Sequence, residues 1–108
     1  MSVSRRYGLK KGQPKRFRLG NLVIISSAPT GARDQVSTWN CHPVYNDELD
    51  VAAWNCFARV VGFLKSNQIY TVIQVHNFPY PSKDQYCLVL DSGGKSGWVS
   101  ANFLEKIR

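Results

Sequence analysis

Residues 97–107, GWVSANFLEKI, decide the fold of this chain. They join an extended aromatic and apolar segment around Trp98 to a short turn of small residues and a second apolar segment. Just before them, residues 86–91 alternate their side chains as a half-buried strand does, and residues 92–97 are rich in Ser and Gly. The pattern predicts a β-hairpin, then a tight turn, then a final strand.

Two more strands are predicted further upstream. Residues 69–75, IYTVIQV, have the β-branched and aromatic content of a strand. A polar loop at 76–85, which carries Pro79 and Pro81, separates them from the hairpin. Residues 17–26 indicate a turn that contains a Gly-Asn pair, followed by a buried apolar strand.

Residues 47–64 are compatible with either a helix or a strand. Their apolar residues recur at helical spacing behind Asp47, a residue type that caps helices, yet their second half is also typical of a strand. We predict at most a short helical turn at 47–53, followed by a strand at about 55–64 that pairs with residues 69–75. The β-branched content of the second half favours the strand.

The second half of the chain resembles the Src-homology-three family of small β-barrels over about residues 69–107. That family ends in a hairpin, the motif Gly-aromatic-apolar-Pro-Ser-Asn-Tyr-Val and a last strand. Ser100 replaces the proline of the motif and Ala101 its serine. A weaker likeness links residues 17–26 to barrels of the KOW and Tudor kind. The matching positions are Gly97, Trp98, Val99, Asn102, Phe103 and Ile107.

The resemblance implies a mainly β protein, a five-stranded Src-homology-three-like small barrel with a basic N-terminal arm and one long loop excursion. We expect residues 1–16 to be a flexible arm, because apolar anchors are scarce there, and residues 17–108 to be the barrel domain. Residues 27–46 carry scattered turn residues and read as a long loop, so the elaborated loop spans about 27–54. Long loops of this kind are often functional.

The positive charge of the chain is concentrated at its N-terminus. The chain has 14 Lys and Arg against 7 Asp and Glu, a net charge of +7. Half of the basic residues lie within residues 1–18, which contain no acidic residue, and the other half balance the seven acidic ones. The seven basic residues at the N-terminus are Arg5, Arg6, Lys10, Lys11, Lys15, Arg16 and Arg18.

Such a run predicts a binding role, with alternatives for the partner. Flexible Lys and Arg neutralise phosphates, so the first hypothesis is a non-enzymatic accessory protein that contacts nucleic acid or a nucleoprotein machine. The arm would equally suit a protein partner with an acidic surface, or act only as a solubilising tail. The alternative class of function is a structural, assembly or inhibitor protein. Small barrels of this kind are frequent in viral and phage particles. Such a protein would bind its partner through the barrel surface and form oligomers.

In the resembled family, an aromatic groove binds proline-rich segments. The resemblance implies Tyr45, Tyr86, Trp98 and Phe103 as its lining here, although Ser100 stands where the groove has its proline. Trp98 and Phe103 are also candidates for closing the core, as aromatic residues in small barrels commonly do.

Other functional classes find little support in the sequence. Three widely spaced cysteines, Cys41, Cys56 and Cys87, do not form a disulfide framework, and no Cys-x-x-Cys pair suggests zinc. His42 and His76 lack the partners of a catalytic site, so we predict neither an enzyme nor a cofactor. No apolar run is long enough for a membrane span, which predicts a cytoplasmic protein or one inside a viral particle.

Overall fold

A computed structural model describes residues 16–26, 35–46, 51–78 and 84–107. Within these ranges the chain forms nine β-strands and one short 3-10 helix. The strands are β1 (Leu22–Ile25), β2 (Gln35–Trp39), β3 (Val44–Asn46), β4 (Val51–Ala53), β5 (Val60–Lys65), β6 (Tyr70–Asn77), β7 (Gln85–Leu90), β8 (Ser96–Ser100) and β9 (Leu104–Lys106). The 3-10 helix, Ala101–Phe103, lies between β8 and β9.

Seven strands form one antiparallel sheet in the order β5-β2-β8-β7-β6-β1-β9, and β3 pairs with β4 in a separate ribbon. The sheet is curled around the core but open, so the molecule is mainly β without being the closed five-stranded barrel that we predicted. The difference arises because β2 and β5 add two strands beyond β8.

The predicted hairpin near the C-terminus is confirmed. β7 and β8 pair with Leu88 opposite Trp98, and the Asp91 Oδ1 atom accepts hydrogen bonds from the Gly93 and Lys95 amides at 2.8 and 2.9 Å. Gly94 has a φ of 87°, a conformation that favours glycine. The turn is therefore fixed by its own residues.

The tight turn and the last strand are confirmed as well. The Ser100 hydroxyl caps the 3-10 helix by accepting a hydrogen bond from the Asn102 amide at 3.2 Å. The helix turns the chain so that β9 pairs with β1, with Glu105 opposite Ile24. Ser100 thus gives the turn a cap of its own at the position where the resembled family has proline.

The first half of the chain departs from the predictions. Part of the predicted loop at 27–46 is strand, since it contains β2 and β3. The predicted helical turn is wrong for residues 51–53, which form β4, while residues 47–50 lie outside the described ranges. The strand predicted at 55–64 begins at Val60 and pairs with β2 instead of residues 69–75, because β1 and β7 already flank β6.

The hydrophobic core lies on one face of the curled sheet. Its most buried side chains come from β1, β6, β7, β8 and β9, and Phe17 joins them from the segment before β1. The three cysteines are free thiols, and only Cys87 is buried, where desolvation raises its pKa to about 12. None of the described residues belongs to a helix long and apolar enough to cross a membrane. The largest fully buried aliphatic side chains of the core are Val23, Val72, Val89, Val99 and Leu104.

Candidate functional site

The face of the sheet opposite the core carries a continuous series of aromatic rings. Each ring contacts the next with centroids 3.7 to 5.9 Å apart. We call this set of seven side chains the aromatic cluster. In order of contact, its members are Trp39, Trp54, Tyr86, Phe78, His76, His42 and Trp98.

Strand register places four of these side chains on the same face. Residues directly opposite each other on paired strands project to the same side of a sheet. Trp39 of β2 lies opposite Trp98 of β8, and His76 of β6 lies opposite Tyr86 of β7. Cys87, the neighbour of Tyr86, projects to the other side and is buried in the core.

The segment between β2 and β5 supplies the rings that lie over this face. Trp54, which follows β4, stacks on Trp39 with centroids 4.5 Å apart and planes at 26°. It also meets Tyr86 edge-on, at 5.9 Å and 90°. The Trp54 side chain is 39% exposed, whereas Trp98 is 8% exposed. Trp54 is therefore the ring of the cluster most open to a planar ligand from solvent.

A pair of stacked histidines lies between Phe78 and Trp98 in the cluster. The His42 and His76 rings are 3.7 Å apart and 11° from parallel, and His42 meets Trp98 edge-on at 4.9 Å. The His42 Nδ1 atom lies 2.6 Å from the Pro43 carbonyl oxygen, so Nδ1 carries a hydrogen and donates it. Burial and, secondly, the proximity of His42 lower the pKa of His76.

Phe78 completes the cluster between His76 and Tyr86. It is buried, and it meets His76 edge-on at 5.0 Å and Tyr86 at 5.8 Å. Burial and, to a smaller extent, the Asp84 carboxylate raise the pKa of Tyr86, so its hydroxyl stays protonated at neutral pH.

Arg16 and Phe17, the first described residues, are bonded to β6 and β7 of the sheet. The Arg16 guanidinium donates to Asn77 Oδ1 at 2.6 Å, and Asn77 directly follows His76. The Phe17 backbone is held at the same place: its amide donates to Gln85 Oε1 at 2.8 Å, and its carbonyl accepts from Gln85 Nε2 at 3.2 Å. The buried Gln85 amide also donates to Asn77 Oδ1. These bonds fix Arg16 and Phe17 at Asn77 and Gln85, which adjoin His76 and Tyr86 along β6 and β7 but project to the core side of the sheet.

The structure describes only part of the predicted site. Arg16 and Arg18 are exposed near the start of the arm. Of the predicted groove residues, Tyr86 and Trp98 belong to the aromatic cluster, Phe103 packs against the hydrophobic core, and Tyr45 is half-buried in β3. Five predicted arm residues lie outside the described ranges, namely Arg5, Arg6, Lys10, Lys11 and Lys15.

Sequence reasoning missed the other five members of the cluster. Trp39 was not singled out as a site residue, and His42 and His76 were considered only as catalytic groups. The clearest unused signal was the presence of three Trp residues in so short a chain, since Trp commonly contributes to binding surfaces. The two remaining members are Trp54 and Phe78.

The described residues bring no group of three or more His, Cys, Asp or Glu side chains together in a way that could hold a metal ion. No protein-family model matches the chain, and neither curated proteins nor solved structures gave a match. We therefore infer function from the geometry of the aromatic cluster and from the position of Arg16.

Proposed function

We propose that this chain is a non-enzymatic protein that binds single-stranded nucleic acid. The observation that carries the proposal is the position of Arg16, which bonds to Asn77, the residue that follows His76 in β6. This bond attaches the end of the basic run to the pair of strands, β6 and β7, that carries His76 and Tyr86 of the aromatic cluster. Phosphates would contact the arm, and unstacked bases would contact the cluster.

Both parts of this surface suit a single strand. Lys and Arg bind phosphates and release counterions, and aromatic side chains stack on bases of any sequence at about 1–3 kcal/mol per base. Trp54 has one face on Trp39 and is partly open to solvent. Arg59 is exposed, and its amide donates to Asn40 Oδ1, next to Trp39. It adds a cationic residue near the Trp39 part of the cluster.

We also propose a Src-homology-three-like relationship for the strands that hold the site. Its support is the chain order in which β6, β7 and β8 form a meander, a 3-10 helix follows, and β9 returns to pair with β1. In this view β2 to β5 are an elaborated first loop of the family. A location in the cytoplasm or inside a viral particle is part of the same proposal.

Trp54→Ala is expected to weaken binding of a fluorescein-labelled single-stranded oligonucleotide about 5- to 150-fold, the loss of one stacked base. Trp54→Phe keeps an aromatic face and should stay within a few-fold of the parent chain. Fluorescence anisotropy at low salt measures both affinities. The matched control is Phe63→Ala, which removes an exposed aromatic ring on β5 outside the cluster. Equal affinities of the Trp54→Ala and parent chains would refute base stacking at this site.

The edge strand β5 favours a second candidate, an assembly role. In the described part of the chain β5 ends the sheet, and it exposes Val60, Val61 and Phe63. Apolar edge strands readily pair with a strand of another chain. If the chain assembles, light scattering will show a mass that rises with concentration, and Phe63→Lys will keep it monomeric. A parent chain that stays monomeric at every concentration would exclude this role.

A further inference from the structure

We infer that the stacked His42 and His76 side chains form a pH-sensitive latch. The latch holds the segment of residues 40–46 and 51–54, called the flap below, against the sheet while the imidazoles are neutral. It releases the flap when both are protonated. The inference concerns the protein without ligand and does not depend on the proposed nucleic-acid binding.

The two rings belong to separate parts of the fold. His42 lies in the flap between β2 and β3, and His76 lies in β6 of the main sheet. Their centroids are 3.7 Å apart and their planes nearly parallel. Neutral imidazoles stack well in this arrangement, whereas two imidazolium rings at the same separation repel each other. Protonation of both rings therefore opposes the contact that joins the flap to the sheet.

The hydrogen bonds of the pair define where the protons go. His42 Nδ1 already donates to the Pro43 carbonyl, so a further proton must bind at Nε2. Both rings are half-buried. Burial and the nearby His42 lower the pKa of His76, so the folded state disfavours the charged form of this ring. When both rings carry a proton, the second positive charge is the one that strains the stack.

The charged and titratable groups around the pair do not cancel this repulsion. On the sheet side, Tyr86 lies opposite His76 and stays neutral, while the Arg16 cation bonds to Asn77, whose side chain projects to the other face of β6. Asp84 is the nearby carboxylate, and its charge acts on Tyr86. On the flap side, the Cys41 thiol adjoins His42 and accepts a hydrogen bond from Asn55.

The direction of the pH effect follows from the lowered pKa. Above the ordinary histidine value of 6.5, His76 is neutral in both the latched and the released state, and the latch is at full strength. Below that value the released or unfolded state takes up protons more readily than the latched state, so docking weakens as pH falls. Release moves His42 away from Trp98 and separates Trp54 from Trp39, because all these contacts join flap to sheet.

The test is tryptophan fluorescence of the full chain between about pH 8 and about pH 5, the range in which histidines change charge. We expect the emission to move to longer wavelength as pH falls below 6.5, with the far-UV circular dichroism of the sheet unchanged. His76→Phe keeps a flat ring without a titrating nitrogen and should abolish the shift. Its matched control, Phe57→Ala, alters an exposed ring that belongs to no cluster contact and should keep it.

A second measurement keeps the inference testable if His76→Phe does not fold. The chain contains only two histidines, so both imidazole signals can be followed by NMR in the parent protein. We expect His76 to become protonated only below the ordinary histidine value of 6.5, together with loss of its contact with His42. Protonation of His76 at its ordinary value, an unchanged emission spectrum or simultaneous loss of the whole sheet would overturn the latch.

Discussion

Replacement of Gly97 by Ala is expected to destabilise the fold by about 2–3 kcal/mol, the range for severe overpacking of a core. A Cβ atom at this position would lie 2.5 Å from the Thr38 Cβ atom, 2.6 Å from its Oγ1 atom and 3.3 Å from the Val61 Cγ2 atom. Thr38 is buried and cannot move aside. The absence of a side chain at Gly97 thus allows Thr38 of β2 and Val61 of β5 to lie close to the backbone of β8.

A second glycine of the same hairpin provides the control. At Gly93 a Cβ atom would have Asp91 Oδ1 as its nearest neighbour at 3.4 Å, so Gly93→Ala should change the unfolding free energy by less than about 0.5 kcal/mol. Urea denaturation of both variants measures the difference. In the Gly97→Ala background, Thr38→Gly should restore part of the loss. An unchanged midpoint for Gly97→Ala would mean that β2 does not pack on β8 as described.

The second half of the fold was predictable because its signals are local. The alternation of residues 86–91, the Ser-Gly turn after it and the β-branched run at 69–75 each act within one element or between neighbours. The turn at Asp91 is satisfied by its own backbone amides. Such features can be read from the sequence without knowledge of distant partners.

The first half was less predictable because pairing there depends on competition between strands. Residues 60–65 have strand character, but nothing local shows that β6 already has both neighbours and that β2 is the free partner. Residues 51–53 form a strand only because β3 lies opposite. Helical spacing in this segment was therefore misleading.

The aromatic cluster was difficult to predict from the sequence for the same reason. Its His42 and His76 side chains are far apart in sequence, and only the position of the flap brings the rings to 3.7 Å. Tyr86 and Trp98 were found through the family resemblance, while Phe103, a candidate for either the groove or the core, packs on the core. The sequence therefore identified ring types suited to binding, and the strand register was needed to show which of them meet.

Removal of residues 1–15 is expected to cause a large loss of nucleic-acid affinity. The truncation removes five of the seven basic residues but keeps Arg16 and Phe17, whose bonds to Asn77 and Gln85 join the arm to the sheet. On single strands each phosphate contact adds about 0.7 to the slope of log affinity against log salt. Five lost contacts should reduce the slope by about 3.5 and low-salt affinity by about 100-fold or more.

The most direct measurement is the anisotropy of a labelled single-stranded oligonucleotide across roughly 50–200 mM salt, titrated with the full chain and with the chain lacking residues 1–15. A third chain, with the five removed basic residues replaced by Gln at full length, separates charge from length. The account predicts a slope near −5 for the full chain and near −1.4 for both variants. Equal slopes for the three chains, or no binding by the full chain, would contradict it and direct attention to an acidic protein partner.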